Sequence, residues 1–211
     1  PIRSSAASDV YKRQGLEEND LLTKTEVLLK EGIKLIQYRD KILDKKTHQE
    51  KAHALLKLTK KYGAKLVIND HVEICLEISA DGFHLGLEDY SSEGNVDLLK
   101  KNKEFISKNL ICGLSCKWNK ELVVNPPENE IKWTYLAVGS FYPSNTKSTI
   151  PETNESVKRK FLSYTDKPLV AIGGINKKNI GEVRSLGYSC FALSEALFEN
   201  PQNVLNEYKR L

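Results

Sequence analysis

The strongest constraint on this chain is a rhythm: short apolar runs alternate with longer stretches of helical period. Ile33–Arg39, Lys65–Asn69, Gly82–Leu85, Leu110–Leu114, Trp133–Gly139, Pro168–Gly173 and Cys190–Leu193 each read as a strand. They are mostly apolar on both faces, which suits parallel strands covered by helices. Between them, residues 17–31 carry Leu21, Leu22, Leu28 and Leu29 at helical spacing, with Gly32 as a stop. Thr47-x-x-Glu50 reads as a capping box opening a helix with Ala52, Leu55, Leu56 and Tyr62 on one face, closed by Gly63. Further helices are expected over 72–79, 95–103, 117–124, 154–164, 177–186 (capped by Asn176) and 201–210, the last with Pro201 in its first turn.

This reading counts seven strands and eight helices. A (β/α)8 TIM barrel has a strand before every helix. The strand that should precede the helix at 17–31 has no apolar period to mark it. Residues 1–14 contain the run Ser4-Ser5-Ala6-Ala7-Ser8-Asp9 and lack the apolar core of a signal peptide, and the sequence contains no methionine. The expectation is therefore a non-native or disordered leader over 1–14. A single TIM-barrel domain over 15–211 would follow, lacking its first strand through truncation of the gene. The competing fold is an open doubly wound sheet, which calls for a G-x-G-x-x-G turn after an early strand; none is present.

Composition narrows the function classes. Hydrophobic residues make up 40% and charged residues 28%, as in ordinary globular domains, and no apolar run approaches a membrane span. A net charge of +4 without aromatic-interleaved basic stripes argues against nucleic acid and suits a small anionic ligand. The four cysteines form no CxxC pair, and three lie in or beside apolar runs. That pattern points to reduced, buried thiols and a cytoplasmic protein rather than a zinc site.

Chemistry-bearing residues gather at strand C-terminal ends, the face where barrel sites form. Gln37, Arg39 and Lys41 share one strand face, while Tyr38 and Asp40 point the other way. They are either an anion-binding column or solvated loop residues. Asn69-Asp70 and Asp89 end neighbouring strands, as partners for Mg2+ or as helix caps. Ser144-Asn145-Thr146-Lys147 is a phosphate cradle or an ordinary polar loop. Gly173-Gly174 and Ser194 follow the last two strands, where barrels often bind phosphate on bare backbone amides.

Six segments in order resemble the thiamine phosphate synthase family: Gln37-Tyr38-Arg39-Asp40-Lys41, Ile68-Asn69-Asp70, Ala80 to Asp89, Gly113-Leu114-Ser115, Val138 to Lys147, and Ala171 to Ile175. The resemblance implies a transferase of thiamine biosynthesis on a TIM barrel. It would join an aminopyrimidine bearing a methyl diphosphate to a thiazole phosphate, releasing pyrophosphate. By the same resemblance Gln37, Arg39, Lys41, Asn69, Ser115 and Lys147 hold the pyrimidine diphosphate, and Arg39, Lys41 and Lys147 act on the departing anion. Ser144, Thr146, Gly174, Ser194 and the Leu193 backbone hold the thiazole phosphate. Asp70 and Asp89 hold Mg2+, the expected cofactor. Tyr38, Asp40 and Asn145 lie inside these motifs and count with the substrate-binding set.

The chain departs from the family pattern in four places. Leu87 stands where Gln is usual, Cys116-Lys117-Trp118 follows Ser115, Ser144 replaces Thr, and Gly187–Ser194 is about one residue short. Competing functions are a thiazole tautomerase-like paralogue, a non-catalytic phosphate-ligand binding protein and a sugar-phosphate isomerase. The last would need a Glu/His pair, for which His84 and Glu88 are poorly placed on one short loop. The expected partners are small-molecule substrates, with no nucleic acid and no membrane, and a homo-oligomer stays open.

Overall fold

Strands buried on both faces need two cores, and the chain builds both. The computed structural model describes residues 7–11, 18–40, 43–127, 131–143, 150–193 and 206. Eight parallel strands close into a barrel in chain order: β1 (Ala7–Tyr11), β2 (Leu35–Arg39), β3 (Lys65–Asn69), β4 (Gly82–Leu85), β5 (Ile111–Ser115), β6 (Tyr135–Val138), β7 (Leu169–Ala171) and β8 (Cys190–Leu193). One set of alternate residues, among them Ile36, Tyr38, Ile68, Leu85, Leu136 and Leu193, points outward into a shell shared with the helices. The other set, including Tyr135, Ala137, Val170, Cys190 and Ala192, fills the barrel interior. The TIM-barrel expectation holds.

The described helices are α1 (Glu18–Lys30), α2 (Lys45–Lys61), α3 (Val72–Glu77), α4 (Leu87–Tyr90), α5 (Glu93–Lys101), α6 (Lys103–Asn109), α7 (Lys120–Val124), α8 (Glu155–Phe161) and α9 (Ile180–Ser185). The helix expected over 201–210 lies, apart from Asn206, outside the described residues. No described helix is long and apolar enough to cross a membrane.

β1 corrects the expectation of a missing first strand. Ala7–Tyr11 lies inside the segment expected to be leader, yet it pairs with Leu35–Arg39 of β2 and, through Ala7 and Ser8, with Ala192 and Leu193 of β8. A parallel ladder is built from backbone N–H and C=O groups, which every non-proline residue carries. The edges of β2 and β8 would otherwise be unpaired, and backbone pairing seats a stretch that has no hydrophobic period. Periodicity has no access to that energy. The rest of the 1–14 segment lies outside the described residues.

Two helix starts also move. Asp44, not Thr47, caps α2: its carboxylate accepts from Thr47 N at 3.1 Å and from the Thr47 hydroxyl at 2.7 Å. Thr47 therefore sits inside the first turn, as a partner of the cap. At α9 the cap position is Asn179, and Asn176 starts the preceding turn by accepting from Lys178 N at 2.9 Å. The stretch around 95–103 is broken into α5 and α6 at Asn102, whose amide turns back to Leu98 O at 2.9 Å.

All four cysteines are buried and unbridged, as expected. Burial pushes the thiols of Cys75, Cys112 and Cys116 up to about 12, which keeps them protonated and unreactive.

His48 gives the fold a measurable pH dependence. On α2 it is buried, edge-on to Tyr38 and to His71, with no hydrogen-bond partner for Nε2 among the described residues. Burial first, then the neighbouring His71, lowers its pKa from 6.5 to about 4. The unfolded chain therefore binds the proton more readily between these values. Stability is complete above about pH 6.5 and falls as the pH drops toward 4. Between pH 7 and pH 5 the urea-unfolding free energy should fall by roughly 1–2 kcal/mol more in the unsubstituted protein than in His48→Phe. Equal losses in the two proteins would remove His48 as the cause.

Candidate active site at the barrel rim

Counting inward-facing positions from the strand ends identifies the site. In β2 the alternation puts Ile36 and Tyr38 in the outer shell and leaves Gln37 and Arg39 on the interior face. Asn69 ends β3, His84 lies in β4, and Ser115 ends β5. These polar residues make a connected layer above the apolar floor of the barrel. Gln37 Nε2 donates to Asn69 Oδ1 at 2.6 Å, and Tyr135 OH donates to Gln37 Oε1 at 3.5 Å. The Tyr135 oxygen is 2.9 Å from His84 Nδ1, and His84 Nε2 is 2.8 Å from Ser115 Oγ.

The donor and acceptor roles of the two His84 nitrogens depend on its tautomer, and one consistent arrangement starts from Tyr135. With Tyr135 O–H given to Gln37, the tyrosine oxygen accepts from His84 Nδ1–H. His84 Nε2 then accepts from the Ser115 hydroxyl. The Ser115 oxygen keeps lone pairs to offer a ligand donor. Tyr135→Phe should break this relay in the middle. Removing one partner of a buried hydrogen bond costs about 1–3 kcal/mol, visible as a lowered unfolding midpoint. An unchanged midpoint would show that the tyrosine hydroxyl supports nothing.

His84 and Tyr135 are the residues that sequence reasoning passed over. The sequence sets His84 only against Glu88, which is exposed on α4, whereas its ring stacks on Tyr135 with centroids 5.5 Å apart. The signal was available: His84 alternates with Gly82 in β4, and Tyr135 with Ala137 in β6, so both are inward positions.

Charge gathers one step higher, at the rim. Arg39 Nε donates to Asp70 Oδ2 at 3.2 Å, with the two side chains only 10% and 13% exposed. Asp70 does not cap α3; the cap position is His71, which makes no side-chain cap bond. The carboxylate turns instead to the arginine. The Asp70 backbone has φ 66, a left-handed conformation that Asp tolerates better than most residues. Its amide donates to His84 O at 2.9 Å, extending the ladder by one bond. Asp89 is not itself a cap position but the third residue of α4, where its Oδ2 accepts from the N-cap Gly86 N at 3.2 Å.

The turn after β7 adds backbone to the rim. Gly173 and Gly174 have φ 97 and 64, and a Cβ at either would strike Ser140 or the Tyr142–Pro143 backbone. Only glycine fits this turn, which brings bare backbone to the rim. Leu193 ends β8, packed in the outer shell. Tyr38 stands apart from the interior set, against His48, and Asp40 Oδ1 accepts from Leu43 N at 3.4 Å in the following turn. Lys41, Ser144, Asn145, Thr146, Lys147 and Ser194 lie outside the described residues.

The departures from the family pattern are structural in part. Cys116 is buried, Lys117 is left-handed with φ 52, and Trp118 packs between Phe141 and Phe161. Trp118 Nε1 donates to Ser140 O at 3.0 Å, tying the β5 loop to the root of the β6 loop. Leu87 is exposed at the rim on α4, two residues before Asp89.

Comparison with known proteins gives a consistent result. The family model described as thiamine monophosphate synthase matches residues 10–197. A thiamine-phosphate synthase of Dictyoglomus turgidum is 35% identical over 191 residues, covering 87% of this chain and 78% of that protein. One from Methanobrevibacter smithii is 31% identical over 199 residues, covering 92% and 90%. Among solved structures, thiamine phosphate pyrophosphorylase from Pyrococcus furiosus superposes with a TM-score of 0.77 at 26% identity, covering 98% of this chain and 96% of that one. A 3-hexulose-6-phosphate synthase superposes with a TM-score of 0.68 at 12% identity and shares the fold alone. With the rim geometry and these matches in agreement over nearly its whole length, the chain belongs to the thiamine monophosphate synthase family.

Proposed function

We propose that this chain is a transferase that joins an aminopyrimidine methyl diphosphate to a thiazole phosphate, giving thiamine phosphate and pyrophosphate. The observation that carries the reading is the Arg39–Asp70 pair, nearly buried at the rim, beside the Gln37–Asn69 hydrogen bond. An ion pair held this far out of water is a weak way to gain stability. It is a good way to hold a guanidinium where a diphosphate arrives.

The C–O bond to the diphosphate breaks as the thiazole nitrogen forms its bond to the same carbon. Negative charge grows on the leaving group, and positive charge grows on a carbon conjugated to the electron-rich pyrimidine. Arg39 stabilises the departing anion through charge-assisted hydrogen bonds. Lys41 and Lys147 share that role by resemblance. The thiazole nitrogen is already nucleophilic, so no protein base is required. The interior layer orients the pyrimidine: Asn69, its Oδ1 occupied by Gln37, presents its amide N–H, and Ser115 presents its oxygen. These suit a ring nitrogen and an exocyclic amine. By resemblance, Ser144, Thr146, Ser194 and the backbone at Gly174 and Leu193 hold the thiazole phosphate. Binding both substrates in one mouth supplies much of the remaining acceleration.

Asp70 and Asp89 fit a hard divalent cation. Both offer carboxylate oxygens at adjacent strand ends, and no cluster of three or more His, Cys, Asp or Glu among the described residues makes a complete protein cage. A Mg2+ ion there would draw its other oxygens from water and the diphosphate, its usual habit. When bound it supplies charge neutralisation on the leaving group.

The test is pyrophosphate release and thiamine phosphate formation with each substrate omitted in turn, with EDTA and with Mg2+ restored. Release is expected only with both substrates and Mg2+. Release from the pyrimidine diphosphate alone would make the protein a diphosphatase. Binding without turnover would make it a phosphate-ligand binding protein, and EDTA-resistant turnover would remove the metal role of Asp70 and Asp89.

A further inference from the structure

Asn95 lies on α5, outside every motif considered above, yet its side chain joins the two carboxylate-bearing segments. Its Nδ2 donates to Asp89 O at 2.8 Å and to Asp70 O at 3.3 Å. A side-chain amide has two N–H bonds, and here each meets the main chain of one rim aspartate. The Asp70 backbone is left-handed, a conformation that costs about 1–2 kcal/mol for most non-glycine residues and persists when its surroundings hold it. The Asp70 amide is held by His84 O at 2.9 Å and its carboxylate by Arg39 at 3.2 Å. Asn95 is the anchor on its carbonyl, and it shares that anchor with Asp89.

We infer that Asn95 is a positioning residue for a divalent cation: it sets the separation of Asp70 and Asp89 so that both carboxylates reach one ion. The inference rests on the metal reading of these aspartates given above. Partners one shell out from a metal orient its ligands, and losing one typically costs 10–100-fold in metal affinity or activity. The placement also separates positioning from folding. Asn95 is half-buried in the first turn of α5, where alanine is a better helix former, so its replacement leaves the helix intact. Asn102 provides the contrast, since its amide donates to Leu98 O four residues earlier in the same chain segment and touches neither aspartate.

The test titrates the full chain with Mn2+, read by electron paramagnetic resonance without substrate, and then measures the Mg2+ concentration for half-maximal pyrophosphate release. Asn95→Ala is expected to weaken Mn2+ binding 10–100-fold and raise the Mg2+ requirement similarly. Its melting temperature should stay close to that of the unsubstituted protein, and high Mg2+ should recover most of the maximal rate. Asn95→Asp loses both donors at constant size and should behave at least as poorly, while Asn102→Ala should bind Mn2+ normally. Normal Mn2+ affinity in folded Asn95→Ala, with Asp70→Asn impaired, would overturn the inference and leave the metal reading standing. If the unsubstituted protein binds no Mn2+ and turns over in EDTA, both fall together.

Discussion

Asp70→Asn is expected to lower kcat/KM for thiamine phosphate formation by about 100- to 1,000-fold, equivalent to ~3–4 kcal/mol of transition-state stabilisation. The substitution is chosen to separate chemistry from folding. Asn is, with Asp, among the few residues that accept the left-handed backbone found here, φ 66. Its side-chain oxygen can still accept from Arg39 Nε, which Asp70 Oδ2 meets at 3.2 Å. What disappears is the negative charge that faces the guanidinium and that, on the proposed reading, a cation would use. The melting temperature should therefore move little while turnover collapses. Asp70→Ala should lose both, because it adds backbone strain and takes the carboxylate away from a nearly buried guanidinium. A near-normal kcat/KM for Asp70→Asn, measured at saturating Mg2+, would remove this carboxylate from the reaction.

Gly113→Ala should damage the fold and the site together. Gly113 faces inward from β5, and a Cβ there would occupy the space of the Tyr135 ring and of His84 Nδ1. Neither ring has room to retreat: they stack at 5.5 Å, and their polar atoms are bonded to Gln37 and Ser115. Overpacking a closed interior costs about 1–3 kcal/mol, occasionally more, and broken hydrogen bonds in the layer add to it. A loss of about 3 kcal/mol corresponds to a melting temperature lower by roughly 10 °C for a domain of this size. Gly94→Ala is the control. It lies in α5, and the methyl of an alanine there would meet nothing within 4 Å, so it should stabilise the protein by about 0.5–1 kcal/mol. If Gly113→Ala melted with the unsubstituted protein, the tight interior layer would be refuted.

The legible part of the site was the part carried by strand parity. Gln37 and Arg39 alternate with Ile36 and Tyr38, and the structure sends them to opposite sides of β2 accordingly. The substrate-binding set nonetheless included Tyr38, because a motif names consecutive residues without regard to face. Asp89 and Asp70 looked alike in sequence, each following a strand and preceding a helix. Asp89 sits inside α4 and turns back to the Gly86 amide, whereas Asp70, left-handed ahead of α3, turns to Arg39. Asn95 carried no signal, since its partners are main-chain carbonyls 6 and 25 residues away.

Local periodicity and turn residues by themselves determined seven of the strands and the longer helices between them, but not the short α4 or the break between α5 and α6. These depend on side chains a few residues apart, which a linear sequence displays. Only the tertiary structure decided the eighth strand, because Ala7–Tyr11 is held by backbone pairing to β2 and β8 rather than by any pattern of its own. It also decided the Gln37–Tyr135–His84–Ser115 layer, whose members come from four strands and meet only when the barrel closes. Closure brings distant polar groups into a space with little water, and there each hydrogen bond depends on a partner that the sequence places far away.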